Sequence, residues 1–256
     1  MAGNELEVCK FILSNKTFLK LRHLGKINKI SAPIKGVSEL YVIKTEDDLS
    51  KISTESSRKK ADIYLNKSGI SIKQLGGSFS FNRLQRANII QVHKQLQLTN
   101  IDRKLSLLEE DVNKFHQGQL TSRNVPWLSF WSEQEFKKVL EFLMMKRSPN
   151  LSISKHQAEY ILEAPQKNIS QNNVNLYTFD EYFDLYKDKL SIAIRRQWVG
   201  QRSNSEHKRA LSLGKKPANF PWIFNEVVGE PTSGWRDDFP ANDRRTVYFL
   251  MIEKKK

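Results

Sequence analysis

Residues 58–74, Arg-Lys-Lys-Ala-Asp-Ile-Tyr-Leu-Asn-Lys-Ser-Gly-Ile-Ser-Ile-Lys-Gln, put a carboxylate, a hydroxyl and an ammonium into a stretch that alternates like two β-strands about a turn. With the turn at Asn66–Gly69, the spacing predicts Leu65 opposite Ile70, Tyr64 opposite Ser71, Ile63 opposite Ile72 and Asp62 opposite Lys73. Side chains alternate across a strand, so Ile63, Leu65, Ile70 and Ile72 share a buried face, and Asp62, Tyr64, Ser71 and Lys73 share the other. The plainest role for such a pair of charges is a cross-strand salt bridge, worth ~0.2–1 kcal/mol. The same groups also suit metal-assisted phosphodiester hydrolysis, which needs charge stabilisation at the phosphate, an activated water and a neutralised leaving oxygen. Magnesium prefers oxygen ligands in near-octahedral geometry, which makes Asp62 the obvious ligand and the Ile72 carbonyl a second. Lys73 would orient or help deprotonate the attacking water, and Ser71 would add a hydroxyl.

The elements that must position these groups are predicted from local pattern. Short β-type runs at Val8–Leu13 and Leu40–Lys44 and a short helix over 46–51 precede the hairpin. Gly76 and Gly77 break the second strand, and Ser78 or Ser80 then caps an amphipathic helix over 81–96. Free N–H groups at that helix start, near Ser80 to Asn82, and the adjacent Arg83 and Arg86 suit a phosphate, although an ordinary turn with a solvated arginine face accounts for them equally. Ile101, Leu105, Leu108, Val112 and Phe115 mark a second helix, stopped at Gly118. Capping boxes at Ser132–Glu135 and Thr178–Glu181 open two more, the latter running through Leu190 and towards Arg196. Ser154 caps a further helix ending before Pro165, and residues 246–252 form a buried strand.

Composition narrows the class. A chain of 256 residues with 39% hydrophobic content can bury a core without staples. The single Cys9 excludes an internal disulfide framework and a cysteine-rich zinc site, which fits a reducing compartment. The first residues show no basic segment followed by an apolar one, and no run approaches the roughly 20 apolar residues that span a bilayer, so a cytoplasmic protein is expected, without membrane insertion. Lys and Arg number 42 against 28 Asp and Glu, and the formal net charge of +14 implies a polyanionic partner unless it serves only solubility. His116, His156 and His207 lack metal-ligand spacing to one another and read as ordinary residues.

Asp62, followed across the hairpin by Ser71-Ile72-Lys73, resembles the PD-(D/E)XK nuclease motif, in which an Asp on one strand is followed by an acid, any residue and Lys on the next. With its flanks, from Lys-Lys-Ala-Asp-Ile-Tyr-Leu-Asn to the later Gly-Gly-Ser-Phe-Ser-Phe-Asn-Arg, the stretch of residues 55–95 is similar to type II restriction endonucleases. The resemblance implies an α/β fold: a mixed β-sheet nuclease core with flanking helices in residues 1–125, and a helical, loop-rich DNA-recognition half over 126–256. The boundary is soft, and a single domain is the alternative. It implies magnesium-dependent cleavage of double-stranded DNA at a specific sequence, with a cognate DNA methyltransferase as a functional rather than physical partner. Catalysis would fall to Asp62, Ser71 and Lys73, and metal binding to Asp62 and the Ile72 carbonyl.

This chain departs from the family pattern at Ala61, where Pro often stands, and at Ser71, where the second acid usually stands. The substitute carboxylate would be Glu55 or Glu39, with Gln74 or Gln85 as neutral ligands. Contacts to DNA near the cut would come from Arg58, Lys60, Gln74, Ser78, Asn82, Arg83 and Arg86. Base readout would come from the loop-like segment 195–245, through Arg202, Arg209, Arg236, Arg244 and Arg245, since arginine pairs with guanine edges. The missing acid supports a rival: a non-catalytic nucleic-acid-binding module with a nuclease-like sheet.

Overall fold

The structure, a computed structural model, describes residues 4–34, 39–50, 52, 60–76, 80–84, 86–116, 118–148, 151–198 and 246–254. In chain order these form α1 (Glu5–Asn15), β1 (Lys20–Leu21), β2 (Gly25–Lys26), β3 (Ile30–Ala32), β4 (Tyr41–Val42), α2 (Glu46–Leu49), β5 (Ile63–Leu65) and β6 (Ser68–Gln74). There follow β7 (Ser80–Leu84), α3 (Arg86–Gln95), α4 (Ile101–His116), β8 (Asn124–Val125), α5 (Glu133–Glu141), β9 (Tyr160–Ala164), β10 (Asn175–Thr178), α6 (Phe179–Tyr186), β11 (Leu190–Trp198) and β12 (Thr246–Lys254). A π-helical turn, Phe142–Lys146, extends α5. No described helix is long and apolar enough to cross a membrane.

The chain divides into two compact units, 1–78 with 137–189, and 79–136 with 190–255. They interleave along the chain, so neither is the 1–125 or the 126–256 stretch.

The first unit holds a six-stranded mixed sheet, ordered β10-β9-β6-β5-β3-β4. All of its pairs are antiparallel except β6 with β9. A parallel pair needs a long connection, here the chain from 75 to 159. Ile63, Leu65, Ile70, Ile72, Leu162, Ala164 and Leu176 join Val8, Cys9 and Ile12 of α1 in one hydrophobic cluster. Asn4 pins the start of α1 to the end of β9, its amide nitrogen donating to the carbonyls of Ala164 at 2.7 Å and Pro165 at 3.1 Å. α6 packs against β9 and β10, with Phe179, Tyr182, Phe183 and Tyr186 buried. Its start is the capping box read from sequence: the Thr178 N–H donates to Glu181 at 2.9 Å, and the Glu181 N–H to the Thr178 hydroxyl at 3.2 Å.

The hairpin register differs from the predicted one. β5 and β6 pair Ile63 with Ile70, Tyr64 with Gly69 and Leu65 with Ser68, around a two-residue turn at Asn66-Lys67. Asn66 selects that turn. It adopts φ 57°, a left-handed conformation that Asn tolerates, and its side chain is tied down. Its oxygen accepts the N–H groups of Asn28 at 2.9 Å and Lys29 at 3.3 Å, and its nitrogen donates to the Lys26 carbonyl at 3.1 Å. A slip of two residues preserves the side-chain alternation, so Ile63, Leu65, Ile70 and Ile72 still share the buried face.

The second unit holds an antiparallel sheet ordered β7-β12-β11-β8. Leu105, Leu108, Val112 and Phe115 are the buried side of α4, as their spacing predicts. Trp127 stacks on Phe136 with ring centroids 4.5 Å apart. The buried His93 accepts the Trp131 indole N–H on Nε2 at 3.0 Å, which fixes the neutral ring.

Four predicted elements are corrected. Val8–Leu13 lies in α1 rather than a strand, because Val8, Cys9 and Ile12 fall on one helical side against the sheet. The helix expected over 81–96 begins only at Arg86, the residues before it being drawn into β7 by pairing of Ser80, Phe81 and Leu84 with β12. The helix expected from Ser154 to Pro165 is β9: Ile161, Leu162, Glu163 and Ala164 are all buried, so the strand shows no alternation to read. The helix opened by Thr178 also ends earlier than expected, at Tyr186, and Leu190 begins β11.

Two outcomes follow from this packing. A Cβ added at Gly69 would collide with the Gln157 carbonyl oxygen, so Gly69→Ala is expected to cost ~1–3 kcal/mol in urea unfolding. Burial, then the Lys104 charge, lower the His93 pKa to about 4, with Glu135 opposing. Below the ordinary 6.5 the unfolded chain takes a proton that the native chain refuses, so this stability is present above pH 6.5 and is lost as pH falls towards 4. Between pH 7 and 5 the wild type should lose about 2 kcal/mol more unfolding free energy than His93→Gln.

Candidate functional site

β5 begins at Ile63 while β6 runs on to Gln74, so beyond Ile63 the β5 side of β6 has no strand carbonyl to take its N–H groups. Asp62 fills the gap. Its Oδ2 accepts the Ile72 N–H at 2.7 Å, and its own N–H donates to the Ile70 carbonyl at 2.8 Å. The N–H and C=O of one strand residue point to the same side, which puts the Ile72 carbonyl on the edge that Asp62 occupies. Lys73 closes the arrangement from the other end, its Nζ donating to the Ser71 hydroxyl at 2.8 Å and to the Ile72 carbonyl at 3.2 Å.

Asp62, Ser71, Ile72 and Lys73 are therefore brought together as expected, but through the Ile72 peptide. The pairing of Asp62 directly opposite Lys73 is replaced: strand pairing ends at Ile63 with Ile70, the Asp62 N–H bonds to that same Ile70, and Lys73 lies further along the strand. Ser71 is buried, with 2% of its surface exposed, so its hydroxyl serves Lys73 rather than solvent.

A strap of chain, residues 151–159, is sewn over this hairpin. The His156 carbonyl accepts the N–H groups of Lys60 at 2.8 Å and Ala61 at 3.0 Å, and the Glu159 N–H donates to the Gly69 carbonyl at 2.7 Å. The Tyr64 hydroxyl meets His156 Nδ1 at 3.3 Å. Burial raises the Tyr64 pKa, with Glu159 adding to it. Lys60 is half-buried beside this seam. Burial above all, then the charges of Arg147 and Lys73, bring its pKa down to about 7 against the pull of Asp62, so its charge changes across the neutral range.

Carboxylates elsewhere divide clearly. Glu39 is exposed, two residues ahead of the edge strand β4, which β3 separates from β5, a lateral distance of about 10 Å. Glu163 is fully buried and stands in register with Lys73 across the parallel pair. It is already engaged, accepting the Tyr186 hydroxyl at 2.5 Å. Burial raises the pKa values of Tyr177, Tyr182 and Tyr186, and Glu163 raises them further.

Among the described residues no three His, Cys, Asp or Glu gather closely enough for a closed protein metal site. Asp62 and the Ile72 carbonyl offer two hard oxygens on one edge. That set fits magnesium, which commonly takes one or two carboxylates, keeps several waters and completes its shell with phosphate oxygens.

Gln74 ends β6 half-buried. Asn82 and Arg83 lie in β7 and Arg86 opens α3, so the helix start expected near Ser80 to Asn82 is strand. Arg58, Glu55, Ser78, Gln85, Arg202, Arg209, Arg236, Arg244 and Arg245 lie outside the described residues. Sequence reasoning missed Arg147 and Glu163 and set His156 aside. Glu163 did leave a signal, as a lone acid inside the apolar run Tyr-Ile-Leu-Glu-Ala; Arg147 and His156 left none, since only the strap brings them to the hairpin.

Comparison with protein-family models finds no match for this chain, and no curated protein or solved structure matches it significantly.

Proposed function

We propose that the chain is a magnesium-dependent endonuclease that cleaves double-stranded DNA at a specific sequence. The observation that carries this reading is the Ile72 peptide, whose N–H is held by the Asp62 carboxylate and whose carbonyl is touched by the Lys73 ammonium, so that an acid, a hard carbonyl oxygen and a cation share one strand edge. Asp62 and the Ile72 carbonyl would hold the magnesium, with Lys73 beside them. Bound there, the ion would polarise the phosphate and make a coordinated water more acidic.

The remaining work falls to side chains. Asp62 is oriented by its bond to the Ile72 N–H, which leaves its second oxygen for the ion. Lys73 is steered by the Ser71 hydroxyl, so Ser71 would act as a positioning residue where PD-(D/E)XK nucleases usually carry an acid. Lys73 would donate to the phosphate and hold the attacking water. The net charge of +14 favours a polyanionic substrate and would make binding strongly salt-dependent.

A second reading is supported by Ser71 itself: a buried hydroxyl at the second acid position suits a binding module that keeps the nuclease-like sheet without its chemistry. One experiment separates the two. Purified protein with magnesium should convert phage DNA to discrete bands, and Asp62→Ala or Lys73→Ala should lower cutting by ~10²–10³ or more while DNA binding persists. Full cutting by both variants would remove these residues from the reaction. Wild-type protein that retards DNA equally with and without magnesium and never nicks it would favour the binding module.

A further inference from the structure

The turn end of the β5–β6 hairpin carries a charged surface of its own. Between Glu7 and Glu39 the chain holds seven Lys or Arg and no Asp or Glu. β1 and β2 come from this stretch, and their register sets Lys20 directly opposite Lys26. Opposed residues of an antiparallel pair project to one face, and like charges placed so repel each other. Alternation shows which face it is: Leu19, Leu21 and Ile27 belong to the hydrophobic cluster, whereas Phe18, Lys20, Arg22 and Lys26 are exposed.

Lys29 and Lys67, both exposed, are fastened beside this pair through Asn66. The Asn66 side chain bonds to the Lys26 carbonyl and the Lys29 N–H, its own N–H donates to the Lys29 carbonyl at 2.7 Å, and Lys67 is the next residue of the turn. Among the described residues no carboxylate pairs with Lys20, Lys26, Lys29 or Lys67. The acids that bond to this region are engaged with other groups: Glu181 takes Arg22 and His23, each at 2.8 Å, and Glu159 accepts the Ser68 hydroxyl at 3.0 Å. Two-residue strands give little ladder to offset the repulsion of opposed lysines, and a bound anion would relieve it. Phe18 adds an aromatic ring, 80% exposed, on a backbone turned by the Phe18 and Leu19 N–H groups, which both donate to the Asn15 carbonyl.

From this arrangement we infer that the β1–β2 face and the Asn66-Lys67 turn form a docking surface for the backbone of duplex DNA, with Lys20, Lys26, Lys29 and Lys67 on phosphates and Phe18 against the sugar edge. The cations are spread over two strands, a connecting segment and a turn, which suits a polymer carrying one charge per ~1.7 Å of its axis better than a single small anion. The inference rests on the proposed function only in taking duplex DNA as the polyanion. Asn66 ends β5 roughly 13 Å along the strand from Asp62, so the surface would grip DNA beside the proposed ion site, and it requires neither metal nor cleavage.

Measurements on the full chain without magnesium test it. In wild-type protein, duplex DNA should suppress acetylation of Lys20, Lys26 and Lys29, read by mass spectrometry, and spare Lys94 and Lys138. Lys20→Gln with Lys26→Gln should bind about ten- to a hundredfold more weakly near 0.1 M salt, with the salt slope reduced by about two. Its urea midpoint should stand at or above that of the wild type, because the opposed charges are gone. Lys94→Gln with Lys138→Gln, which removes the same charge from exposed positions elsewhere, should leave affinity within about threefold. Phe18→Ala should weaken binding and leave the salt slope in place, since it removes no charge. Unprotected Lys20 and Lys26 in DNA-bound wild type would overturn the surface, as would equal losses in the two double variants. So would a wild type that binds no DNA, or one that prefers duplex RNA of the same length. Cutting is read separately: a protein that cuts with Lys20 and Lys26 unprotected keeps the nuclease reading and loses the surface, and one that protects them without ever nicking DNA does the reverse.

Discussion

The hydrogen bond from the Ile72 N–H to the Asp62 carboxylate is the contact on which the site depends. β6 outruns β5, and Ile72 is buried, so without Asp62 its N–H would be left unpaired at a cost of about 1–3 kcal/mol. The carboxylate continues the ladder where the strand carbonyl has run out. That bond orients Asp62 through one of its two oxygens. One side chain thus completes the ladder and, in the proposed function, would also hold the ion.

Much of what surrounds that contact sets its precision. Asn66 chooses the two-residue turn, the turn sets the register of β5 on β6, and with that register the Asp62 N–H meets the Ile70 carbonyl while Lys73 reaches back to the Ile72 carbonyl. Gly69 has no side chain because the strap passes against it at Gln157. The strap in turn gathers Lys60 and Arg147 towards a hairpin that already carries Lys73. The hairpin stretch supplies the acid, Lys60 and Lys73, and the long-range connection brings Arg147 beside Lys60.

The sequence was legible where structure is decided locally. The stripe of α4 and the capping boxes at Ser132 and Thr178 depend on neighbours three or four residues away, and each opens or lines a helix as read. The buried and polar faces of the hairpin were also readable, because a slip of two residues leaves alternation unchanged. Its pairs were not, since the tie of Asn66 to Lys26, Asn28 and Lys29 comes from outside the hairpin. β7 and β9 were misread for a related reason. One is made by pairing with the distant β12, and the other is a strand buried from Ile161 to Ala164 and rich in helix-favouring Leu, Glu and Ala. Spacing alone places Asp62 and Lys73 on the same short hairpin, whereas Arg147, His156 and Glu163 become neighbours of it only through the strap and the parallel pairing.

The most direct test of the account is the position of a divalent ion. A crystal structure of the full chain with manganese and duplex DNA, read by anomalous scattering, should show the ion about 2.0–2.2 Å from an Asp62 carboxylate oxygen and from the Ile72 carbonyl, with a DNA phosphate in its shell. The account is contradicted if manganese avoids that edge while DNA is bound, or if it occupies the same place in Asp62→Ala.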